Sequence, residues 1–351
     1  MLKATFNKYE LIFKIPGGTS RGILKTKDSW FISLFDENNP EICGYGEASI
    51  IKGLSIDKMD KFDEKLIWCL ENINSYQSWD TKALTNYPSI KFALETAFLD
   101  LNNGGNRILF DSKFTEEKEG IHTNGLVWMG THEFMQKQII DKIENGFRCI
   151  KIKIGAINFN EELSLLKLIR NDFKETELEL RVDANGAFSP AEAVEKLKRL
   201  SDYHIHSIEQ PIKQKQWEAM ADLCLKTPIP IALDEELIGV DSQDAAKLLD
   251  YISPQYIILK PSLLGGFKSS EGFINEANKR NIGWWVTSAL EANIGLNAIA
   301  QWTYTLGNNM PHGLGTGLLF TNNIDSPLYL KESELYFNKS NNWRLEKITN
   351  A

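Results

Sequence analysis

Charged residues recur at nearly equal intervals through the middle of this chain, and each one closes a short apolar run. These residues are the pair Lys151 and Lys153, then Asp183, Glu209, Asp234 and Lys260, and successive positions lie 25 to 30 residues apart. About this many residues make one strand, one helix and their connections, so the series predicts consecutive units of a (β/α) barrel. Because the C-terminal ends of barrel strands converge on one mouth, we expect three carboxylates and three lysines to share a pocket.

Composition narrows the classes of protein to consider. Of 351 residues, 42% are hydrophobic and 25% are charged, which is typical of a globular protein. The net charge of −8 disfavours nucleic acid as a partner, and the scattered cysteines favour reduced thiols over zinc or disulfides. Lysines interrupt the first 16 residues and no run approaches the roughly 20 apolar residues that span a bilayer. We therefore expect a cytoplasmic protein with no membrane partner. This composition is also compatible with a homo-oligomer.

The pattern of predicted strands and helices changes along the chain. Strands are predicted over residues 5–15, 22–27 and 30–36, and helices over 57–71 and 89–103, with Ser89 as an N-cap. From about residue 121 strands alternate with helices. The sequence thus predicts an N-terminal α+β capping domain over 1–115, a (β/α) TIM-like barrel over 116–322, and a segment over 323–351 that returns to the cap.

Period-two alternation predicts which charges face the inside of the barrel. Ile150 and Ile152 lie on one face of their strand, whereas Lys151 and Lys153 lie on the other. Such a strand by itself is more typical of a half-exposed sheet. In a parallel barrel both faces are covered, so an inward charge needs a partner or a chemical task.

The three acids and three lysines suit one kind of chemistry. Asp183, Glu209 and Asp234 are oxygen ligands of the type that Mg²⁺ prefers, with Mn²⁺ as a substitute. A metal beside lysines stabilises the charge that forms when a proton is removed next to a carboxylate. Lys153 is the better base, because Lys151 two residues away lowers its pKa toward neutrality. Lys260 would face the opposite side of the substrate.

Several motifs together resemble the enolase superfamily, in its muconate-lactonising subgroup. They are found at 151–153, 182–186, 208–211, 233–235 and 259–266, and the resemblance extends to the cap at 44–48. Members of this superfamily use a Lys or His base with Mg²⁺ to stabilise an enediolate. The resemblance therefore implies an Mg²⁺-dependent enzyme that acts on a small-molecule carboxylate.

Residues 287–291 and 313–317 are similar to the o-succinylbenzoate synthase family within this subgroup. That similarity implies a carbon–oxygen lyase of menaquinone biosynthesis, which dehydrates 2-succinyl-6-hydroxy-2,4-cyclohexadiene-1-carboxylate to 2-succinylbenzoate. It further implies that Lys153 removes the α-proton and then protonates the departing hydroxyl, while Lys260 stabilises the enediolate as a cation. Substrate-binding roles are expected for Arg181, Asn185, Ser288 and the backbone amides of Gly265 and Gly266.

Some alternatives stay open at this level. Arg181 is as well explained as a partner of Glu179, and Glu235 is a possible metal ligand in place of Asp234. An N-acylamino acid racemase or dipeptide epimerase of the same superfamily fits two lysines on opposite faces of an α-carbon. Against an epimerase of dipeptides, no acidic residue follows the predicted last strand end, at 312–317, before Asp325. A barrel that only binds its ligand is the third alternative.

Overall fold

The computed structural model describes residues 1–19, 22–80 and 82–349, and it has the predicted class of fold. An antiparallel sheet with two helices forms the N-terminal part. A seven-stranded parallel sheet surrounded by helices forms the centre, and a small antiparallel sheet contains the C-terminal hairpin. This is a TIM-like barrel with an α+β cap. Among the described residues, no helix is both long and apolar enough to cross a bilayer.

The cap is a meander of three strands with its helices packed on one face. Its elements are β1 (Leu2–Thr19), β2 (Gly22–Asp36), β3 (Asn39–Ser49), α1 (Phe62–Glu71) and α2 (Pro88–Asn102), with 3₁₀ turns at Met59–Lys61 and Ile73–Ser78. Trp30, Leu66 and Leu94 belong to a buried cluster between this sheet and the helices. The cap therefore has an apolar core of its own.

Two local predictions in the cap were wrong. β2 is continuous through residues 28–29, because Lys27 and Ser29 turn inward and donate to Ser49 and Glu47 of β3 rather than forming a turn. Ser89 does not cap α2, which begins at Pro88 after Tyr87. The Ser89 hydroxyl instead donates to Asp57 Oδ1 at 2.7 Å.

The barrel strands run in chain order around the sheet, and every neighbouring pair is parallel. The strands are β5 (Gly125–Val127), β6 (Cys149–Lys153), β7 (Glu179–Asp183), β8 (Ser207–Glu209), β9 (Ile231–Leu233), β10 (Tyr256–Leu259) and β11 (Gly283–Val286). The helices are α3 (His132–Glu144), α4 (Phe159–Asp172), α5 (Pro190–Ser201), α6 (Trp217–Lys226), α7 (Ala245–Ile252), α8 (Pro261–Leu264), α9 (Phe267–Lys279) and α10 (Asn293–Thr305), with 3₁₀ turns at Glu235–Leu237 and Ser242–Asp244.

Strand register brings the predicted charges to one level. Lys153 pairs with Asp183, and Asp183 pairs with Glu209, across three adjacent strands. Ile150 and Ile152 lie in the core between strands and helices. The alternation predicted for β6 is therefore confirmed.

Residues 312–313 take the place of an eighth strand. Single parallel bridges join Thr123 to His312 and Thr287 to Gly313, so this short segment connects the first and last strands of the sheet. The His312 amide donates to His122 O at 2.8 Å, and the Gly313 amide donates to Val286 O at 2.9 Å. These contacts close the barrel.

The C-terminal segment touches both parts of the molecule. It contains β12 (Leu328–Lys331), β13 (Glu334–Phe337) and α11 (Glu346–Thr349), and β13 pairs with the short β4 (Ile121–His122). Ile348 packs in one buried cluster with Leu11 of the cap and Trp128 of the barrel. Side chains of the cap and the barrel share this cluster, so the packing does not separate the two parts at a particular residue. The domain boundaries at 115/116 and 322/323 therefore stay a prediction.

Candidate active site

A cavity of about 320 Å³ lies between the cap and the C-terminal ends of the barrel strands. Its polar lining includes six of the predicted site residues: Lys151, Lys153, Asp183, Asn185, Lys260 and Ser288. Glu209 and Asp234 are 2% exposed and contact the ammonium groups that line the cavity. The structure thus brings the predicted acids and lysines together at one mouth.

β6 holds two lysines side by side above neighbouring acids. The ammonium nitrogen of Lys153 lies 2.8 Å from Asp183 Oδ2 and 2.8 Å from Asn185 Oδ1. The ammonium of Lys151 lies 2.8 Å from Glu209 Oε2 and 3.6 Å from Asp183 Oδ2. Asp183 is therefore shared between both lysines.

Lys260 approaches from the far side of the mouth, directly after β10. Its ammonium group contacts Asp234 Oδ2 and lies 4.0 Å from Glu209 Oε1. Lys153 and Lys260 thus enter the cavity from strands separated by three others. A ligand between them would meet one amine on each flank.

Burial and neighbouring charges set the ionisation of these groups. Burial opposes ionisation of Asp183, but Lys153 and Lys151 outweigh it and lower the pKa of that carboxyl. Burial also opposes the charged form of Lys151, yet Glu209 and Asp183 raise its pKa. The pKa of Lys260 is raised in the same way, with Asp234 and Glu209 as the main partners against burial. Lys151 and Lys260 are therefore cations at neutral pH.

The three carboxylates have the donor chemistry that a hard divalent cation needs. All are nearly fully buried, and Glu209 Oε1 has no hydrogen-bond partner among the residues the structure describes. Within this same part of the chain, no three His, Cys, Asp or Glu side chains lie close enough to hold a metal. The reason is visible in the ion pairs, since each carboxylate is drawn toward an ammonium group. The residue types fit Mg²⁺, which Asp183, Glu209 and Asp234 would hold.

Glu235 lies close to the same cluster. Its Oε1 accepts from the Asn185 side-chain amide at 3.1 Å, whereas Asp234 contacts Lys260. Both acids are at most 3% exposed. Asp234 contacts Lys260, which lines the cavity, and the choice of Asp234 over Glu235 as metal ligand stays a prediction.

Three predicted substrate contacts are not brought to the cavity. Arg181 is 1% exposed, and its guanidinium donates to Glu179 Oε1 at 2.6 Å and to Pro311 O at 2.8 Å. The amides of Gly265 and Gly266 both donate to Pro261 O. These three residues are therefore removed from the proposed site, and the pairing of Arg181 with Glu179 that the sequence left open is the one observed.

The cap supplies an apolar wall that sequence reasoning missed. It consists of Ile15, Leu24, Ile51 and Leu54, and the barrel residues Leu126 and Trp128 continue it. The β1–β2 hairpin reaches the barrel because Gly18 carries no side chain; a Cβ there would lie 2.3 Å from Met129 O. Ile15 is 58% exposed although it borders the cavity, and this exposure depends on tertiary packing, so the sequence carried no signal for it.

Comparison with known proteins identifies relatives over almost the whole chain. Residues 135–327 match the family model described as "Enolase C-terminal domain-like". The chain is 46% identical to an o-succinylbenzoate synthase from Desulfotalea psychrophila, and the match covers 93% of this chain and 96% of that protein.

Solved structures show the same resemblance. The crystal structure of MenC from Desulfotalea psychrophila has a TM-score of 0.86 and 43% identity, covering 95% of this chain and 99% of that one. A dipeptide epimerase from Enterococcus faecalis, complexed with Mg and the dipeptide L-Leu-L-Tyr, has a TM-score of 0.82 at 20% identity, covering 96% and 97%. The second comparison speaks for the fold alone.

Proposed function

Because the chain belongs to the enolase superfamily and, within it, to the o-succinylbenzoate synthase family, we propose that it is a dehydratase. Its substrate would be 2-succinyl-6-hydroxy-2,4-cyclohexadiene-1-carboxylate and its product 2-succinylbenzoate. The reaction breaks a carbon–oxygen bond, so the enzyme would be a hydro-lyase, and this step belongs to menaquinone biosynthesis.

Lys153 is the proposed general base. In neutral form it would take the proton from the ring carbon that carries the carboxylate, and the resulting ammonium would protonate the departing hydroxyl on the same face of the ring. Its contacts with Asp183 Oδ2 and Asn185 Oδ1, both at 2.8 Å, hold the amine at the cavity wall. One amine would thereby serve both proton transfers.

Lys260 and Lys151 are proposed to remain cationic throughout. Both have raised pKa values, because the attraction of neighbouring carboxylates outweighs burial. The enediolate formed by proton removal carries an additional negative charge, and Lys260 would face it from the flank opposite Lys153. Fixed cations beside an apolar cavity wall stabilise such a charge more than they would in bulk water.

Mg²⁺ is the proposed cofactor, held by Asp183, Glu209 and Asp234. When bound, it would act as a Lewis acid on the substrate carboxylate and lower the energy of the enediolate. The donor chemistry of these three buried carboxylates supports it.

The observation that carries the proposal is the pair of lysines on opposite flanks of one cavity. Lys153 from β6 and Lys260 after β10 both line it, with buried carboxylates between them. The test is a spectrophotometric assay of the purified protein with the cyclohexadiene substrate and Mg²⁺. We expect an aromatic absorbance to appear, and to vanish when EDTA removes the metal. If no aromatic product formed with fresh substrate and Mg²⁺, the proposal would be wrong.

An epimerase or racemase is the second candidate, and the same two flanking lysines favour it. Removing a proton on one face of an α-carbon and returning it on the other requires two such groups. We would test it by incubating N-succinyl amino acids and dipeptides with the enzyme in D₂O and following deuterium at the α-carbon by NMR. Rapid incorporation without dehydratase activity would reverse the ranking of the two functions.

A further inference from the structure

A buried glutamine directly follows the acid that ends β8. Gln210 comes after Glu209, one of the predicted metal ligands, and its side chain is fully buried. Its φ is 39°, in the left-handed region that favours glycine and strains other residues. A glycine would adopt this conformation more easily, which indicates that the glutamine side chain has a task of its own.

The Gln210 carboxamide uses its full hydrogen-bonding capacity. Its Oε1 accepts from the backbone amides of Asp234 at 3.2 Å and Glu236 at 3.3 Å. Its Nε2 donates to Ile212 O at 3.0 Å and to Glu236 Oε2 at 3.2 Å. An amide oxygen has two acceptor positions and an amide nitrogen has two protons, so all four are occupied.

Backbone partners determine which way this carboxamide points. The amides of Asp234 and Glu236 can only donate, and the Ile212 carbonyl oxygen can only accept. A flipped carboxamide would place its protons against two donors and its oxygen against an acceptor. Gln210 therefore has a single orientation, in which its oxygen faces the amide of Asp234.

The backbone of Gln210 is held as firmly as its side chain. Its amide donates to Ala232 O of β9 at 2.9 Å, and its carbonyl oxygen accepts from the Gly186 amide at 2.7 Å. Gln210 thus joins the end of β8 to β9 twice, once through the backbone and once through the carboxamide. Since Glu209 precedes it and Asp234 bonds it, the spacing between these two acids depends on Gln210.

We propose that Gln210 is a positioning residue that fixes the backbones of Glu209 and Asp234 at the spacing that a small divalent cation requires. This inference rests on the proposed function, in which both acids hold Mg²⁺. Mg²⁺ demands near-ideal octahedral geometry, whereas Ca²⁺ accepts longer bonds and a flexible arrangement of ligands. Loss of the Gln210 carboxamide should therefore weaken binding of Mg²⁺ more than binding of Ca²⁺.

The test measures the affinities of purified Gln210→Met for Mg²⁺ and for Ca²⁺ by isothermal titration calorimetry, without substrate. Methionine has about the length of glutamine and removes all four hydrogen bonds. We expect affinity for Mg²⁺ to fall about tenfold, as on loss of other groups that orient metal ligands, and affinity for Ca²⁺ to fall by less than about threefold. A general loosening of the protein would instead lower both affinities equally.

Gln301 of α10 provides a matched control. It is also fully buried, and its Oε1 accepts from the amides of Leu109 and Phe110, while its Nε2 donates to Arg107 O and Asn297 Oδ1. Neither Gln301 nor these partners line the cavity. Gln301→Met removes the same four kinds of hydrogen bond, so it should lower stability in urea without changing the ratio of the Mg²⁺ and Ca²⁺ affinities.

Circular dichroism establishes whether Gln210→Met is folded. If it is not, Gln210→Asn takes its place, since its side chain stays polar but is one methylene shorter and cannot hold both backbone amides. The same selective loss of Mg²⁺ affinity is expected. Equal losses for the two cations, or an unchanged affinity for Mg²⁺ in a folded variant, would overturn the proposal.

Failure of the dehydratase would give a different result. If the wild-type protein bound Mg²⁺ but formed no aromatic product, the proposed reaction would be wrong, and the calorimetry would still decide the role of Gln210. If the wild-type protein bound no Mg²⁺, both the proposed cofactor and the positioning role of Gln210 would be wrong.

Discussion

Carboxylates are buried both at the seam between cap and barrel and at the barrel mouth, but their partners differ. At the seam, Glu47 accepts the amides of Ala292 and Gly295 at 2.8 and 2.9 Å, where α10 begins. Glu95 accepts the amides of Phe267 and Lys268 at the start of α9. Backbone amides cannot move away, so these acids join the cap to the barrel.

At the mouth the partners are lysine side chains, and the match is incomplete. Asp183, Glu209 and Asp234 each contact an ammonium group, and Glu209 Oε1 lacks a hydrogen bond within the described part of the chain. Lysine side chains can exchange partners when a ligand or cation arrives. The comparison teaches that fixed amide partners indicate structural acids, whereas flexible ammonium partners indicate acids available for chemistry.

The largest expected effect comes from removing the proposed base at the mouth. Lys153→Ala should lower kcat by about 10²- to 10⁴-fold, the range for a general acid–base group, while leaving the fold intact. The dehydratase assay measures kcat, and circular dichroism measures whether the fold is intact. Lys167→Ala, an exposed lysine of α4, is the control. Retained activity in Lys153→Ala would exclude it as the base.

Removing an acid at the seam should lower the stability of the protein. Glu47→Ala removes the acceptor of the buried Ala292 and Gly295 amides and should cost roughly 2 to 3 kcal/mol of unfolding free energy, the cost of leaving buried donors unsatisfied. Urea denaturation measures it. Glu41→Ala, at an exposed position of the same strand, should change stability by less than about 0.5 kcal/mol. A loss as small as that of the control would mean that Glu47 does not anchor the cap.

Affinity for Mg²⁺ is a further property by which the acids at the mouth should differ from those at the seam. Asp183→Asn should weaken Mg²⁺ binding by about tenfold or more, since loss of even an outer-shell partner of a metal costs that much. Isothermal titration calorimetry gives the affinity, and Asp172→Asn, exposed at the end of α4, is the matched control. Unchanged Mg²⁺ affinity in Asp183→Asn would remove this residue from the ligand set.

The smallest effect concerns an acid of the cap that has neither lysine nor metal chemistry. Burial raises the pKa of Asp57 to about 6, against hydrogen bonds from Ser89 that lower it. The unfolded chain loses this proton near its ordinary pKa of 3.8, so the folded state binds the proton more tightly and stability falls as pH rises between about 4 and 6.

Asp57→Asn should therefore stabilise the protein by roughly 1 to 2 kcal/mol at pH 7.5, and the gain should disappear near pH 4. Urea denaturation at the two pH values is the measurement, with the exposed Asp60→Asn as control. A gain that is independent of pH would show that ionisation of Asp57 is not its cause.

Much of the barrel could be predicted because its signals are local. Alternation along residues 149–153 follows from the geometry of a strand, and the charges at strand ends follow from the convergence of parallel strands at one mouth. The break predicted between residues 27 and 30 was wrong, because its signal was local but the deciding contacts were not. Lys27 and Ser29 bond partners on β3, which lie far away in the sequence. Similarly, Ser89 resembled an N-cap until the tertiary fold placed Asp57 beside it.

Taken alone, the sequence determined the class of fold, the order of the strands and which lysines and acids face inward, because each depends on periodicity within a few residues. Only the tertiary structure decided that Glu179 and Pro311 bind Arg181, that the amides of Gly265 and Gly266 are already occupied, and that Ser288 donates to Glu291. Hydrogen-bond partners far apart in the chain depend on how elements pack, and a single sequence carries no local signal for that.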